Sequence, residues 1–256
     1  MRSPEELREA IEGHLATLEL APDLDGLEEP MRYALDPGGK RIRPILCLAV
    51  AESAGGTVEE ALPAAAAVEL VHAFSLVHDD LPALDDDDER RGRPSAHVAY
   101  GEGVALLAGD ALLAEALRLA LGYDDPRLAR ELAEATLGMI AGQFRDVTGE
   151  DADLLALHAL KTGRLFGAAV GLGLRAAGVP DGEQAPWRAF GEELGLLFQV
   201  VDDLLDADGV VERLGADAAR ELADEAAARA RDRLADVPAD TSVLLELVDG
   251  LAVRTS

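Results

Sequence analysis

Asp79, Asp80 and Asp85 stand in the string His78-Asp79-Asp80-Leu81-Pro82-Ala83-Leu84-Asp85, directly after a long apolar stretch. Asp202, Asp203 and Asp206 close a second one, Gln199-Val200-Val201-Asp202-Asp203-Leu204-Leu205-Asp206. The C-terminal end of a helix carries partial negative charge from its backbone carbonyls, so carboxylates collected there repel it and one another until a cation offsets them. Asp202 and Asp206 are four residues apart and share a helical face, with Asp203 beside Asp206. Hard oxygen ligands near one point suit Mg²⁺, which keeps several waters and accepts one or two carboxylates together with substrate phosphates. An acid-rich chain also pairs aspartates by accident, and the run Asp85 to Asp88 carries less weight for that reason. Stray surface charges, however, have no cause to gather at the ends of apolar helices.

The cations are spaced as tellingly. The chain contains only two lysines, Lys40 and Lys161, and both lie in glycine-flanked strings. Lys40 belongs to Gly38-Gly39-Lys40-Arg41-Ile42-Arg43-Pro44, where glycines free the backbone and three cations precede a helix whose N-terminus itself attracts anions. That arrangement reads as a diphosphate cradle, and its spacing is not that of a Walker motif. Lys161-Thr162-Gly163-Arg164 pairs a point cation with a hydroxyl donor. Arg90-Arg91-Gly92 follows the first acidic string; its arginines either neutralise their neighbours or offer guanidinium forks to a metal-bound diphosphate. His72 lies seven residues before Asp79, two turns down the same face, where a satisfied core histidine is the usual case.

These groups need long helices to hold them. Hydrophobic residues make up 49% of the 256 and aromatics 4%, with alanine and leucine abundant and β-branched residues few, which predicts an all-α fold with a sizeable core. Leu7, Ile11, Leu15 and Leu18 mark one face of a first helix opened by Ser3 as N-cap, Pro4 at N1 and Glu6 at N3. Breaks at 36–40, 55–56, 81–94, 122–126, 149–153, 178–182 and 237–240 divide the chain into about ten helices, and without a linker or internal repeat it is treated as one domain, 1–256. Residues 57–80 and 187–206, apolar on most faces, are expected as central helices. The net charge of −27 excludes nucleic-acid backbones as partners and leaves anionic substrates to local cations or metal ions. The one cysteine, Cys47, sits in an apolar run and suits a buried thiol in a reducing cytoplasm. The charged stretch 2–12 is not a signal core and no apolar run reaches about 18 residues, so stable membrane insertion is not expected.

Taken together, the strings resemble the trans-isoprenyl diphosphate synthases of the polyprenyl synthetase family, over roughly residues 30 to 210, in the family's order and at spacings typical of it. The four residues between Asp80 and Asp85, Pro82 among them, look like the bacterial farnesyl diphosphate synthase subtype. The resemblance implies the isoprenoid synthase fold, helices around a central apolar cavity, and a condensation of isopentenyl diphosphate with a short allylic diphosphate (C5 or C10). It implies that Lys40, Arg43, His72 and Arg91 hold isopentenyl diphosphate, while Arg90, Lys161, Thr162 and Gln199 serve the allylic partner. Asp79, Asp85 and Asp202 match the chief ligands of a cluster of about three Mg²⁺ ions, with Asp80, Asp203 and Asp206 in support. Catalysis of this kind rests on electrostatic stabilisation of the departing diphosphate and on positioning. The released diphosphate is the expected proton acceptor.

Phe74 and Ser75, five and four residues before Asp79, lie about one turn down the helix and are candidates for the cavity floor, although Phe74 also fits ordinary core packing. In the family a bulky aromatic there shortens the product, so C15 farnesyl diphosphate is expected ahead of C20 or C10. One region departs from the pattern. After Asp206 the family usually carries a lysine-bearing loop and then a Gly-Lys-Ser/Thr string, whereas this chain reads Ala207 to Asp217 without a lysine and continues into an Ala/Glu/Arg helix. That gap keeps open a weakly active or non-catalytic partner subunit. A terpene cyclase is the third reading, opposed by the Asp202-Asp203-Asp206 string, since cyclases usually carry an Asn/Ser/Glu-type second cluster. Apolar faces around Leu106 to Leu121 lead to the expectation of a homodimer.

Overall fold

The computed structural model describes residues 1–36, 39–149 and 154–253, excepting the side chain of Leu155, and it is built almost wholly of helices. In chain order these are α1 (Pro4–Ala16), α2 (Glu28–Leu35), α3 (Ile42–Ser53), α4 (Val58–Asp79), α5 (Ala96–Tyr100), α6 (Glu102–Ala120) and α7 (Pro126–Thr148). After them come α8 (Leu154–His158), α9 (Arg164–Ala176), α10 (Ala185–Asp206), α11 (Val210–Leu214), α12 (Ala216–Ala235) and α13 (Ser242–Ala252). A π-helical turn, Ala159–Gly163, joins α8 to α9. Gly38 of the cradle string, and residues 150–153 of the expected break after Gly149, lie outside the described residues.

Local chemistry sets several boundaries. Ser3 Oγ accepts from the Glu6 amide and Glu6 Oε2 accepts from the Ser3 amide at 2.8 Å, so two N–H groups that the helix leaves unpaired are satisfied at its start. Leu7, Ile11 and Leu15 are buried on one face; Leu18 is buried too, but it lies past the helix, which ends at Ala16. Thr57 caps α4 by accepting from the Glu60 amide at 3.2 Å. α4 is buried on nearly all sides, which explains why one 18-residue window has a mean hydropathy of 1.4 and passes for a membrane span by composition, although 67% of it is buried among other helices.

α4 and α9 form the centre. α9 packs on α3, α4, α7 and α10, while α12 covers α10 and α6 covers α4. One hydrophobic cluster runs from Leu7 through Phe166 and Phe190 to Leu251. A small exception to the all-α expectation is an antiparallel ribbon, β1 (Glu89–Arg90) with β2 (Arg93–Pro94), turned at Arg91 and Gly92, whose φ angles of 56° and 78° are those of a tight mirror-type hairpin. It is pinned to α2: Tyr33 Oη donates to the Pro94 carbonyl at 2.7 Å, and Arg93 stacks 3.8 Å over the Tyr33 ring and donates to the Asp36 carbonyl.

Candidate active site

The ribbon carries one cationic string onto another. An added Cβ on Gly39 would lie 2.6 Å from the Arg91 guanidinium, so the glycine lets Arg91 settle in this position against the segment that leads into α3, and a side chain there would push the guanidinium aside. Lys40, Arg43, Arg91 and His72 thereby line one wall of a cavity of about 700 Å³. Arg43 is held by ring faces, with its guanidinium carbon 4.7 Å from the Phe166 centroid and 5.3 Å from that of Phe198. Burial lowers its pKa to about 10 despite Glu69 and Asp202, and its Nε is buried with no hydrogen-bond partner. A guanidinium fixed by aromatic faces keeps its N–H groups for an anion. Burial, and then the positive fields of Arg43 and Arg91, push His72 well below the ordinary histidine range, so it enters the site as a neutral imidazole.

Arg41, between Lys40 and Arg43 in the chain, also lines the cavity but is differently engaged. It is 4% exposed with φ 47°, and it donates to Glu12 at 2.8 Å, to Glu69 at 2.6 Å and to the Leu35 carbonyl at 2.6 Å. One side chain thus ties α1, α2 and α4 to the start of α3. Its charge is used internally.

The first acidic string leaves α4 in a tight turn: the Leu81 amide donates to the His78 carbonyl at 3.1 Å and the Asp85 amide to the Asp79 carbonyl at 2.9 Å, which returns Asp85 towards Asp79 around Pro82. Asp80 is buried and accepts from the Arg90 guanidinium, with Nε at 2.9 Å, while Arg90 also reaches Asp87 at 3.2 Å. Of the two readings of Arg90, the structure shows the neutralising contact. Asp79 and Asp85 make no ion pair among the described residues. Burial, offset by Lys161 and reinforced by Asp85, raises the Asp79 pKa to about 6.

In the second string, Asp202 and Asp206 line the cavity opposite the cradle. Burial raises the Asp202 pKa although Lys40 Nζ lies 3.6 Å from Oδ1. Asp203 turns to another task, being buried with Gln199 Nε2 donating at 2.7 Å and the Val210 amide at 2.9 Å, and His158 Nδ1 3.7 Å away. It clamps the chain as it leaves α10 through Ala207, whose φ is 58°. Thr162 donates to Gln199 Oε1 at 2.6 Å, and Lys161 Nζ meets Asp146 Oδ2 at 2.6 Å.

The cavity therefore gathers Lys40, Arg43, His72, Arg90, Arg91, Thr162, Gln199, Asp202 and Asp206; Asp79, Asp80, Asp85, Lys161 and Asp203 stand outside its lining, as do Ser75 and Phe74. Phe74 is 7% exposed on another face of α4, its ring edge-on to His78 at 4.9 Å, and Ser75 donates to the His72 carbonyl. No three carboxylate, imidazole or thiol groups among the described residues converge as a ready-made metal cage. Asp79, Asp85, Asp202 and Asp206 instead supply an all-oxygen, incompletely paired set, the chemistry of a Mg²⁺ site completed by phosphate oxygens. Asp146, Glu69, Phe166, Phe198 and Gln143 escaped the sequence reading, and Arg41, read there as one of three cradle cations, is instead spent on Glu12, Glu69 and the Leu35 carbonyl. Both polar atoms of the Gln143 side chain are buried without a partner, three residues from Asp146 on α7; that i, i+3 spacing was the one available signal.

Comparison with known proteins agrees with this geometry. Residues 25–228 match the family model described as polyprenyl synthetase. The chain is 43% identical over 209 residues to the geranylgeranyl diphosphate synthase of Cyanophora paradoxa, covering 76% of this chain and 70% of that one. It is 38% identical over 224 residues to the farnesyl diphosphate synthase of Bacillus subtilis (strain 168), covering 81% and 76%. The crystal structure of a geranyltransferase from Legionella pneumophila superposes with a TM-score of 0.87 at 31% identity, over 98% of this chain and 96% of that one. With its family match over residues 25–228 and its likeness in sequence and fold to these relatives, the chain belongs to the polyprenyl synthetase family of prenyltransferases.

Proposed function

We propose that this chain condenses isopentenyl diphosphate with a C5 or C10 allylic diphosphate to give a trans-prenyl diphosphate, C15 farnesyl diphosphate as the main product. The observation that carries the reading is the cavity itself, in which Lys40, Arg43 and Arg91 face Asp202 and Asp206. Lys40, Arg43 and Arg91 bind the diphosphate of isopentenyl diphosphate, with neutral His72 as a hydrogen-bonding neighbour. Lys161, Thr162 and Gln199 serve the allylic diphosphate, and Arg90 joins them by exchanging its carboxylate contacts for phosphate oxygens. Mg²⁺, about three ions held chiefly by Asp79, Asp85 and Asp202, supplies the positive charge that stabilises the leaving diphosphate. As the allylic C–O bond breaks, the isopentenyl double bond attacks the cationic carbon, and the proton lost in forming the new double bond passes to the released diphosphate. The protein's share is to place the two reactants and to keep water out.

The C15 assignment draws on Phe74 as a bulky residue one turn below Asp79, and on the likeness to the Bacillus enzyme; the likeness to geranylgeranyl diphosphate synthases makes C20 the competing outcome. The exposed Leu107, Leu137, Ile140, Phe144 and Val147 on α6 and α7 support a homodimer. Burial pushes the Cys47 thiol up, which suits a reducing cytoplasm, and the continuous core suits one domain. The deciding experiment incubates the purified protein with isopentenyl diphosphate, Mg²⁺ and, separately, C5, C10 and C15 allylic diphosphates, and reads chain lengths by mass spectrometry. Accumulation of C15 supports the assignment; C20 keeps the synthase and removes Phe74 as floor. Absence of elongation under all conditions points to the partner-subunit reading, which the lysine-free segment after Asp206 favours.

A further inference from the structure

Of the three cations in the cradle string, Arg43 alone is held without the use of its donors. Lys40 Nζ lies 3.6 Å from Asp202, and Arg41 is spent on Glu12, Glu69 and the Leu35 carbonyl, whereas Arg43 makes no hydrogen bond or ion pair among the described residues. Its guanidinium lies instead against two rings, 4.7 Å from the Phe166 centroid and 5.3 Å from that of Phe198, and the rings meet each other at 4.9 Å with 42° between their planes. Only five phenylalanines occur in the chain, in a core built mainly of alanine, leucine and valine, and two of them are gathered at this one guanidinium.

The two rings stand in different relations to the cavity. Phe198 lines it; Phe166 is 0% exposed and lines neither this cavity nor a second one, of about 1070 Å³, between α7, α9 and α10. Phe166 reaches Arg43 from α9 beside a close approach of α10: a Cβ on Gly195 would lie 3.2 Å from Phe166 Cβ and 3.3 Å from Gly163 Cα, so a side chain there would press on both. A ring brings no carboxylate to a guanidinium. The negative face of its quadrupole attracts the cation and fixes its plane, while the N–H groups stay free of any protein acceptor. A carboxylate in the place of Phe166 would hold Arg43 as firmly, but it would compete with an anionic ligand for the same donors.

We propose that Phe166 is a positioning residue for the diphosphate that Arg43 receives: it touches no ligand itself and acts by holding the guanidinium with its donors unspent. The inference rests on the reading of the cavity given above, in which that diphosphate belongs to isopentenyl diphosphate. It adds to that reading a specific determinant of affinity that lies behind the cavity wall, on α9.

Calorimetric titration of the full chain with isopentenyl diphosphate, and in parallel with inorganic pyrophosphate, tests this by comparing Phe166→Leu with Phe190→Leu. Phe190 is equally buried, at 0% exposed, and faces no cation among the described residues. Both variants lose a core ring and should melt at lower temperature, whereas only Phe166→Leu should weaken binding, by about tenfold or more. Its KM for isopentenyl diphosphate should rise while kcat and the allylic KM stay close to those of the parent. In an Arg43→Ala background the Phe166→Leu exchange should cost no further affinity, because the ring acts only through that guanidinium. Unchanged affinity in Phe166→Leu, equal weakening in Phe190→Leu, or a further loss in the Arg43→Ala background would overturn the proposal. An unmodified protein that binds pyrophosphate and not isopentenyl diphosphate would count against the reaction proposed above, and the pyrophosphate series would then decide the role of Phe166; one that binds neither anion would overturn both.

Discussion

Replacing Asp79 by asparagine separates the folding role of this carboxylate from its chemical one, because the two change in opposite directions. Burial and the neighbouring Asp85 raise its pKa from 3.8 to about 6. A carboxyl raised in this way binds its proton more tightly folded than unfolded, so it costs nothing below the unfolded value and opposes folding progressively as pH rises through the folded one. Between 3.8 and about 6 the full penalty accumulates to about 3 kcal/mol. Asp79→Asn, of nearly the same shape and unable to ionise, should therefore gain up to about 3 kcal/mol of stability over the unmodified protein at pH 8, and a shrinking fraction of that towards pH 4.5. Urea unfolding at both pH values, with matched slopes, measures the difference. Turnover should fall by several kcal/mol of barrier in the same variant. In the unmodified protein Mg²⁺ with pyrophosphate should raise the melting temperature, and in Asp79→Asn the gain should shrink. A variant that is less stable than its parent at pH 8, or whose advantage does not vary with pH, would refute the idea that Asp79 is held at an electrostatic cost until a cation arrives.

Four further outcomes can be checked singly. Asp202→Ala should also lose turnover by several kcal/mol of barrier with little change in stability, measured by steady-state kinetics beside thermal melting. Arg41→Lys removes the forked bonds to Glu12, Glu69 and Leu35 and leaves Glu69 buried with a poorer partner; denaturant unfolding should show a loss of about 3 kcal/mol or more. Phe74→Ala should lose about 3 kcal/mol of stability from its buried site and shift products towards C20, read by mass spectrometry; an unchanged product with lowered stability would make Phe74 ordinary core. Phe144→Asp in the exposed α7 row should turn a sedimenting dimer into a monomer, and a parent that is already monomeric at micromolar concentration would dismiss the dimer.

Much of the architecture was legible because it is encoded locally. The Ser3–Glu6 capping box opens α1 where its residue types put it, and the two long apolar stretches became α4 and α10, ending at Asp79 and Asp206. What escaped depends on distant partners. The ribbon at residues 89–94 has two residues per strand, too short for alternation, and is held by Tyr33 and Asp36 more than fifty residues earlier. Asp203 reads as the equal of its neighbours in the string, and only the return of Val210 beneath it shows that its oxygens are engaged. Gln143 and Asp146 pass for the polar face of an amphipathic helix until the π-helical turn brings Lys161 against Asp146, an approach allowed because Gly142 has no Cβ to meet the Lys161 amide nitrogen at 2.8 Å. Arg41 is the same kind of case, since nothing in its string separates it from Lys40 and Arg43, and the carboxylates that claim it come from α1 and α4.

The two lysines have a practical consequence for anyone handling the protein. Lys40 and Lys161 carry its only ε-amines; Lys40 lines the first cavity, Lys161 neighbours the cavity-lining Thr162, and their side chains are 49% and 32% exposed. An amine-directed acylating reagent can thus place at most two labels on side chains, both beside the cavity, and counting them by intact mass with and without pyrophosphate gives a gauge of occupancy that needs no turnover. The same scarcity governs surface chemistry: coupling the protein to a sensor chip through its side-chain amines tethers it by the rim of the cavity and blocks the mouth, so attachment through a cysteine introduced on α12 is the route that leaves the site open to solution.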